Sequence, residues 1–128
     1  MNELIGLQYK WGANPDIENG YCDCFQLSCA VRRRLGLYDH ASDFSWAYEH
    51  YDNSLPPLRM ARWLLANCQR TTWPRPGCLA MNNRKQAALA TMTDNAIICI
   101  APRGRSVSVM PSLSAIDSLK WFLPNSDA

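Results

Sequence analysis

The stretch NGYCDCFQLSCAVRRRLGL, Asn19 to Leu37, decides how the chain is organised. Asn19, Gly20 and Asp23 are turn and cap formers, and after them Cys24, Leu27, Val31 and Leu35 recur at helical spacing until Gly36 stops the pattern. The reading is one amphipathic helix with Cys24 in its first turn. Arg32, Arg33 and Arg34 fall in the last turns, where cations complement the negative end of the helix dipole, and they read as a solvated helix end. Cys24 stands apart from the other thiols, because the dipole and unpaired N–H groups at a helix start favour thiolate over thiol and so favour nucleophilic attack. Cys29, Cys68, Cys78 and Cys99 lie in the middles or flanks of elements and are assigned to packing.

Beyond Leu37, Ser42 or Asp43 can cap a second helical stretch through FSWAYEHY, whose aromatic residues build packing surface. Pro56 and Pro57 suit the opening of a third helix, with Leu58, Ala61, Leu64 and Leu65 on one face and Arg59 and Arg62 on another. From Arg70 the character changes. TTWPRPG breaks the helix, and CLAM, AALATMT, AIICIA, SVSVM and LKWFL are short runs punctuated by turn formers, with TDN and APRGR as hairpin turns. This predicts an antiparallel meander laid against the first helix, an α+β fold, and a single domain over residues 1–128.

The 128 residues carry 48% hydrophobic side chains and five Trp, enough to bury a core without crosslinks. A net charge of +2 offers no basic footprint for nucleic acid. No apolar run approaches the ~20 residues of a membrane span. The opening MNELIGLQYKWG carries an acid where a secretion signal carries bases, so the expectation is a protein made in the cytoplasm without a signal peptide. Cys22, Cys24 and Cys29 are too crowded for a regular disulfide framework, and reduced thiols are expected. Zinc is weighed and set aside: the six cysteines with His40 and His50 supply enough donors, but no CxxC knuckle occurs. No cofactor is expected.

Three segments carry a resemblance. GLQYKWG looks like a Gly-x-x-Tyr-x-Trp-Gly signature, GYCDCFQL is similar to a Gly-Phe-x-Asp-Cys-Ser-Gly-Leu nucleophile motif, and RPGCLAM resembles a Pro-Gly-Asp-Leu turn into the first sheet strand. In this order they resemble the NlpC-type family of papain-like cysteine peptidases, which cut peptide stems of bacterial cell walls and also occur in phage tails. The resemblance implies a papain-like fold, N-terminal helices packed on a C-terminal antiparallel sheet. By position it makes Cys24 the nucleophile, Asp23 the residue before it, and Tyr9 the tyrosine whose hydroxyl faces the reacting centre. Phe25 and Gln26 replace the usual Ser-Gly, and Cys78 replaces the Asp.

A cysteine nucleophile also needs a base that takes the thiol proton and returns it to the leaving amine. The family supplies a histidine on the strand after the Pro-Gly turn, and its His-Val-Gly/Ala pattern falls here on Ala88, Leu89 and Ala90. The third group falls near Ile100. Neither Ala88 nor Ile100 can accept a proton. No histidine occurs from Tyr51 onward; Lys85 and Asp94 read first as solvated charges, and His40 and His50 belong to the helical half, His50 being the one place to which a base could have migrated. Loss of general acid–base help removes ~10²–10⁴-fold in rate, and members of a triad act as a unit.

The expectation is therefore a catalytically degenerate NlpC-like domain used as a structural or assembly module, in the tail tip or baseplate of a tailed bacteriophage. Its partners would be other structural proteins of the tail or baseplate, with cell-wall peptide a further ligand. Trp46, Tyr48, Tyr51 and Trp121 are the aromatic residues expected to supply a contact to another chain, the stretch around Trp46 above all. Two alternatives stand beside it: an active peptidase on peptidoglycan stem peptides, with Cys24 as nucleophile and an unidentified base, and a metal or redox sensor using Cys22 and Cys24.

Overall fold

Asp23 holds an extended backbone (φ −108°, ψ −177°) and accepts a hydrogen bond from the Gln26 N–H, so the central helix α1 starts where the sequence places it and runs Cys24–Arg34. The computed structural model describes residues 1–53, 55–81, 89–100, 106–109 and 119–128. Ahead of α1, two short parallel strands, β1 (Gln8–Tyr9) and β2 (Tyr21–Cys22), bring the N-terminal segment alongside the helix start. Nothing in the apolar pattern of two-residue strands announces them.

Helix α1 is not amphipathic in its setting. Every residue from Cys24 to Arg32 is buried, because the sheet, the second helix and the N-terminal segment enclose it. This corrects the reading of the arginine triplet. Arg32 is fully buried: its guanidinium donates to Asp127 Oδ2 and Oδ1 at 2.8 and 2.7 Å, to the Gly77 carbonyl at 2.9 Å and, through Nε, to the Tyr38 carbonyl at 3.0 Å. Arg33 and Arg34 stay near the surface and pair with Asp16, Asp39 and Glu3. Dipole reasoning sees only the helix end, whereas burial of Arg32 follows from the C-terminus returning to it. Gly77 lets that happen: with φ at +93°, a Cβ there would run into Leu37 and sit 3.2 Å from Arg32 Nη1.

A 3₁₀ turn over Ala41–Phe44 contains both expected caps, Ser42 and Asp43, and α2 (Ser45–His50) follows it directly. Helix α3 (Pro57–Asn67) opens on proline at its first position. Its buried residues are Met60 and Leu64, while Leu58 and Leu65 are 70% and 69% exposed, so the inward face is rotated from the one read in the sequence.

The remaining strands are β3 (Cys68–Thr71), β4 (Leu79–Met81), β5 (Leu89–Met92), β6 (Ile97–Cys99), β7 (Ser108–Val109) and β8 (Lys120–Pro124). They form one antiparallel sheet in the order β3-β8-β4-β5-β6-β7. The class is α+β. The meander holds from β4 to β7, but β8 inserts between β3 and β4, with Phe122 opposite both Arg70 and Leu79. Strand β3 follows α3 directly and ends on Thr71, the first residue of the TTWPRPG break, and none of the short runs read as strands covers it. The TDN turn is real: Thr93 accepts from the Ala96 N–H at 2.9 Å and donates its own N–H to the Ala96 carbonyl at 2.7 Å. APRGR lies outside the described residues.

Alternation across the sheet separates two clusters. Leu79, Leu89, Ile98 and Phe122 join the main core with α1, whereas Ala80, Ala90, Ile97 and Trp121 gather on the opposite face. Trp121 is 2% exposed and belongs to that second cluster. Among the described residues no helix is long and apolar enough to cross a membrane.

Candidate active site

The first turn of α1 collects the residues of the resemblance, and Asp23 holds them together. Its Oδ1 accepts from the Gln26 N–H at 2.8 Å; its Oδ2 accepts from the Gly12 N–H and the Tyr48 hydroxyl, both at 2.8 Å. The YKWG segment is thereby tied to the helix start, and Trp11 packs edge-on against Phe25 and Tyr48, with ring centroids 6.2 and 5.1 Å away. Asp23 is fully buried. Burial pushes its carboxyl above the usual carboxylate range, opposed by the three donors. The hydrogen bond to Asp23 ties Tyr48, expected from the sequence to contact another chain, into the domain's own interior.

Cys24 is 7% exposed. Burial first, and then the neighbouring Asp23 carboxylate, push its thiol up to about 12. The Leu89 backbone N–H, which favours the ionised form, is too weak to reverse this. The expected thiolate is thus not met: at this helix start the dipole is outweighed by loss of solvent and by an adjacent anion. Cys22, also buried, is pushed up to about 12 for the same two reasons. All six thiols are free.

Burial raises the Tyr9 phenol, and Cys24 lies close enough for the two ionisations to oppose each other. Its proton, however, goes elsewhere. The hydroxyl donates to the Asn53 carbonyl at 2.9 Å, and Asn53 presents that oxygen from a left-handed backbone (φ 65°). The residue of β5 that meets Cys24 is Leu89, one beyond Ala88, and Ala88 and Lys85 lie outside the described residues. Ile100 follows β6 and is 1% exposed in the main core, where it can neither orient an imidazole nor move a proton. Asp94 is exposed in the β5–β6 turn.

Neither histidine serves Cys24. His40 is buried among Tyr38, Phe44 and Trp63, with Nδ1 3.1 Å from Asp43 Oδ2, and it feels the charges of Arg32 and Asp127. Arg32 is eight residues along α1 from Cys24, about 12 Å at the helical rise, so His40 sits at the wrong end of the helix. His50 is exposed at the end of α2, two residues or about 200° round the helix from the inward-facing Tyr48. The migrated base is therefore not at His50. Among the described residues no group of three or more His, Cys, Asp or Glu is placed to hold a metal ion.

Sequence reasoning missed Gly12, Gln26 and Tyr48 as partners of Asp23. The cap itself was legible, and a buried cap carboxylate has a second oxygen that must find donors; which donors arrive there depends on the path of residues 8–12 and on α2. No family model matches the chain, and neither a curated protein nor a solved structure matches it.

Proposed function

We propose that the chain is a catalytically degenerate NlpC-like domain with a papain-like arrangement, kept as a structural or assembly module in the tail tip or baseplate of a tailed bacteriophage. The observation that carries the reading is Cys24: a cysteine at the position the resemblance gives the nucleophile, buried, pushed up to about 12, and meeting the backbone of Leu89, the residue after the Ala88 that the resemblance puts in place of the base. The layout supports the family, with a cysteine-led helix packed on the second strand after a Pro-Gly turn. Tyr9, whose hydroxyl the resemblance turns toward the reacting centre, donates to the Asn53 carbonyl instead, and Asp23 ties down Gly12 and Tyr48.

The test is Cys24 alkylation by iodoacetamide, followed by peptide mapping, beside hydrolysis of peptidoglycan stem peptides. A thiol at about 12 is ionised at roughly 10⁻⁵ at pH 7, against a few per cent for a free cysteine near 8.5, so Cys24 should react at least ~10³-fold more slowly than an unfolded control. Stem peptides should be released no faster than by Cys24→Ala. Rapid Cys24 labelling at neutral pH together with Cys24-dependent release would establish the active peptidase instead.

A further inference from the structure

We infer that the groove between α2 and α3 is a docking slot for an acidic protein segment that inserts one apolar side chain, a deeper statement of the assembly reading on which it rests. Trp46, Arg59, Arg62, Trp63, Ala66 and Asn67 line a hollow of about 200 Å³. Pockets for cofactors and drug-sized ligands run ~300–1,000 Å³, so this one suits a single side chain rather than a small molecule. Both tryptophans are held in place from behind: Trp63 against Phe44, with centroids 4.7 Å apart, and Trp46 edge-on to Tyr51 at 6.4 Å. Rigid aromatic walls lower the ordering cost of binding.

Charge decides the occupant. Elsewhere the chain matches its helix arginines to acids, as Arg32, Arg33 and Arg34 all do. Among the described residues the Arg59 guanidinium in the groove donates to the neutral Tyr51 hydroxyl, at 2.8 Å, and pairs with no carboxylate, and the Arg62 guanidinium has no hydrogen bond or ion pair. Among the described residues no carboxylate lines the hollow. Two unmatched guanidinium forks beside an indole-walled slot complement carboxylates flanking an apolar residue. Leu58 and Leu65, seven residues apart and therefore on one side of α3, extend the apolar surface past Arg62. A nucleic acid is the poorer fit, because two cations and a single slot cannot track a phosphate backbone and stack successive bases.

The experiment follows the indole N–H signals of Trp46 and Trp63 in the isotope-labelled full chain. The probes are acetyl-Asp-Leu-Phe-Glu-amide, its neutral counterpart acetyl-Asn-Leu-Phe-Gln-amide, and a thymidine octanucleotide. The acidic peptide should shift both signals saturably, and the neutral peptide should bind about tenfold more weakly or worse, as should the acidic peptide to Arg62→Glu and to Arg59→Glu. Equal affinity for the two peptides, no shift at millimolar acidic peptide, or tighter binding of the octanucleotide overturns the inference. Cys24 labelling is read at a different part of the fold, so the docking slot and the loss of catalysis can fail separately.

Discussion

Replacing Asp23 by alanine tests whether the inherited cap has become the tie between the N-terminal segment, α1 and α2. Three donors lose their acceptor: the Gln26 N–H, the Gly12 N–H and the Tyr48 hydroxyl. An N-cap is worth about 1 kcal/mol. The other two donors are partly buried, and each left without an acceptor costs about 1 kcal/mol, toward the low end for buried groups because water can reach Gly12. Asp23→Ala should therefore cost about 3 kcal/mol, a fall of roughly 10–15 °C in Tm for a domain of this size. Asp23→Asn keeps an oxygen for the cap and allows the Tyr48 hydroxyl to turn and accept, leaving mainly the Gly12 N–H unmatched, so about half that loss is expected. Urea titration followed by tryptophan fluorescence measures both. Tyr48→Phe alone should cost about 1 kcal/mol, and combined with Asp23→Ala it should cost less than the sum by 0.5 kcal/mol or roughly more, since the two share one bond. A loss below ~1 kcal/mol for Asp23→Ala, or strict additivity with Tyr48→Phe, would refute the assignment of Asp23 as a shared hub.

Asp127→Ala strands the Arg32 guanidinium in the interior and should cost ~3–5 kcal/mol, whereas Arg32→Met with Asp127→Leu should recover much of it; a thermal or urea melt of the three chains decides. An Asp127→Ala chain as stable as the parent would place the C-terminus off α1 in solution. Burial lowers His40 from its ordinary range despite the opposing Asp43 carboxylate. The unfolded chain therefore binds the proton more readily, and this contribution, present above ~6.5, is lost as pH falls below it. Stability measured between pH 5 and 7 should slope upward with pH, and His40→Phe should flatten the slope; an unchanged slope would locate the titrating group elsewhere.

Local order was written into the sequence where one short segment sets it. The cap at Asp23, the proline at the start of α3, the TDN hairpin and the period of two that sends Leu79 inward and Ala80 outward all depend on neighbours a few residues away. So did the placement of Cys24 in a first turn. What only the tertiary structure decided are the properties set by distant chain segments. The insertion of β8 between β3 and β4 requires the last strand to meet partners as distant in sequence as Cys68 is from Pro124, and no local pattern specifies that. That return carries Asp127 to Arg32 and turns a surface-like arginine into a buried ion pair. The state of Cys24 has the same origin. A helix start invites a thiolate, but solvent exclusion by β5 and the N-terminal segment, with Asp23 buried beside it, makes the neutral thiol the lower-energy form.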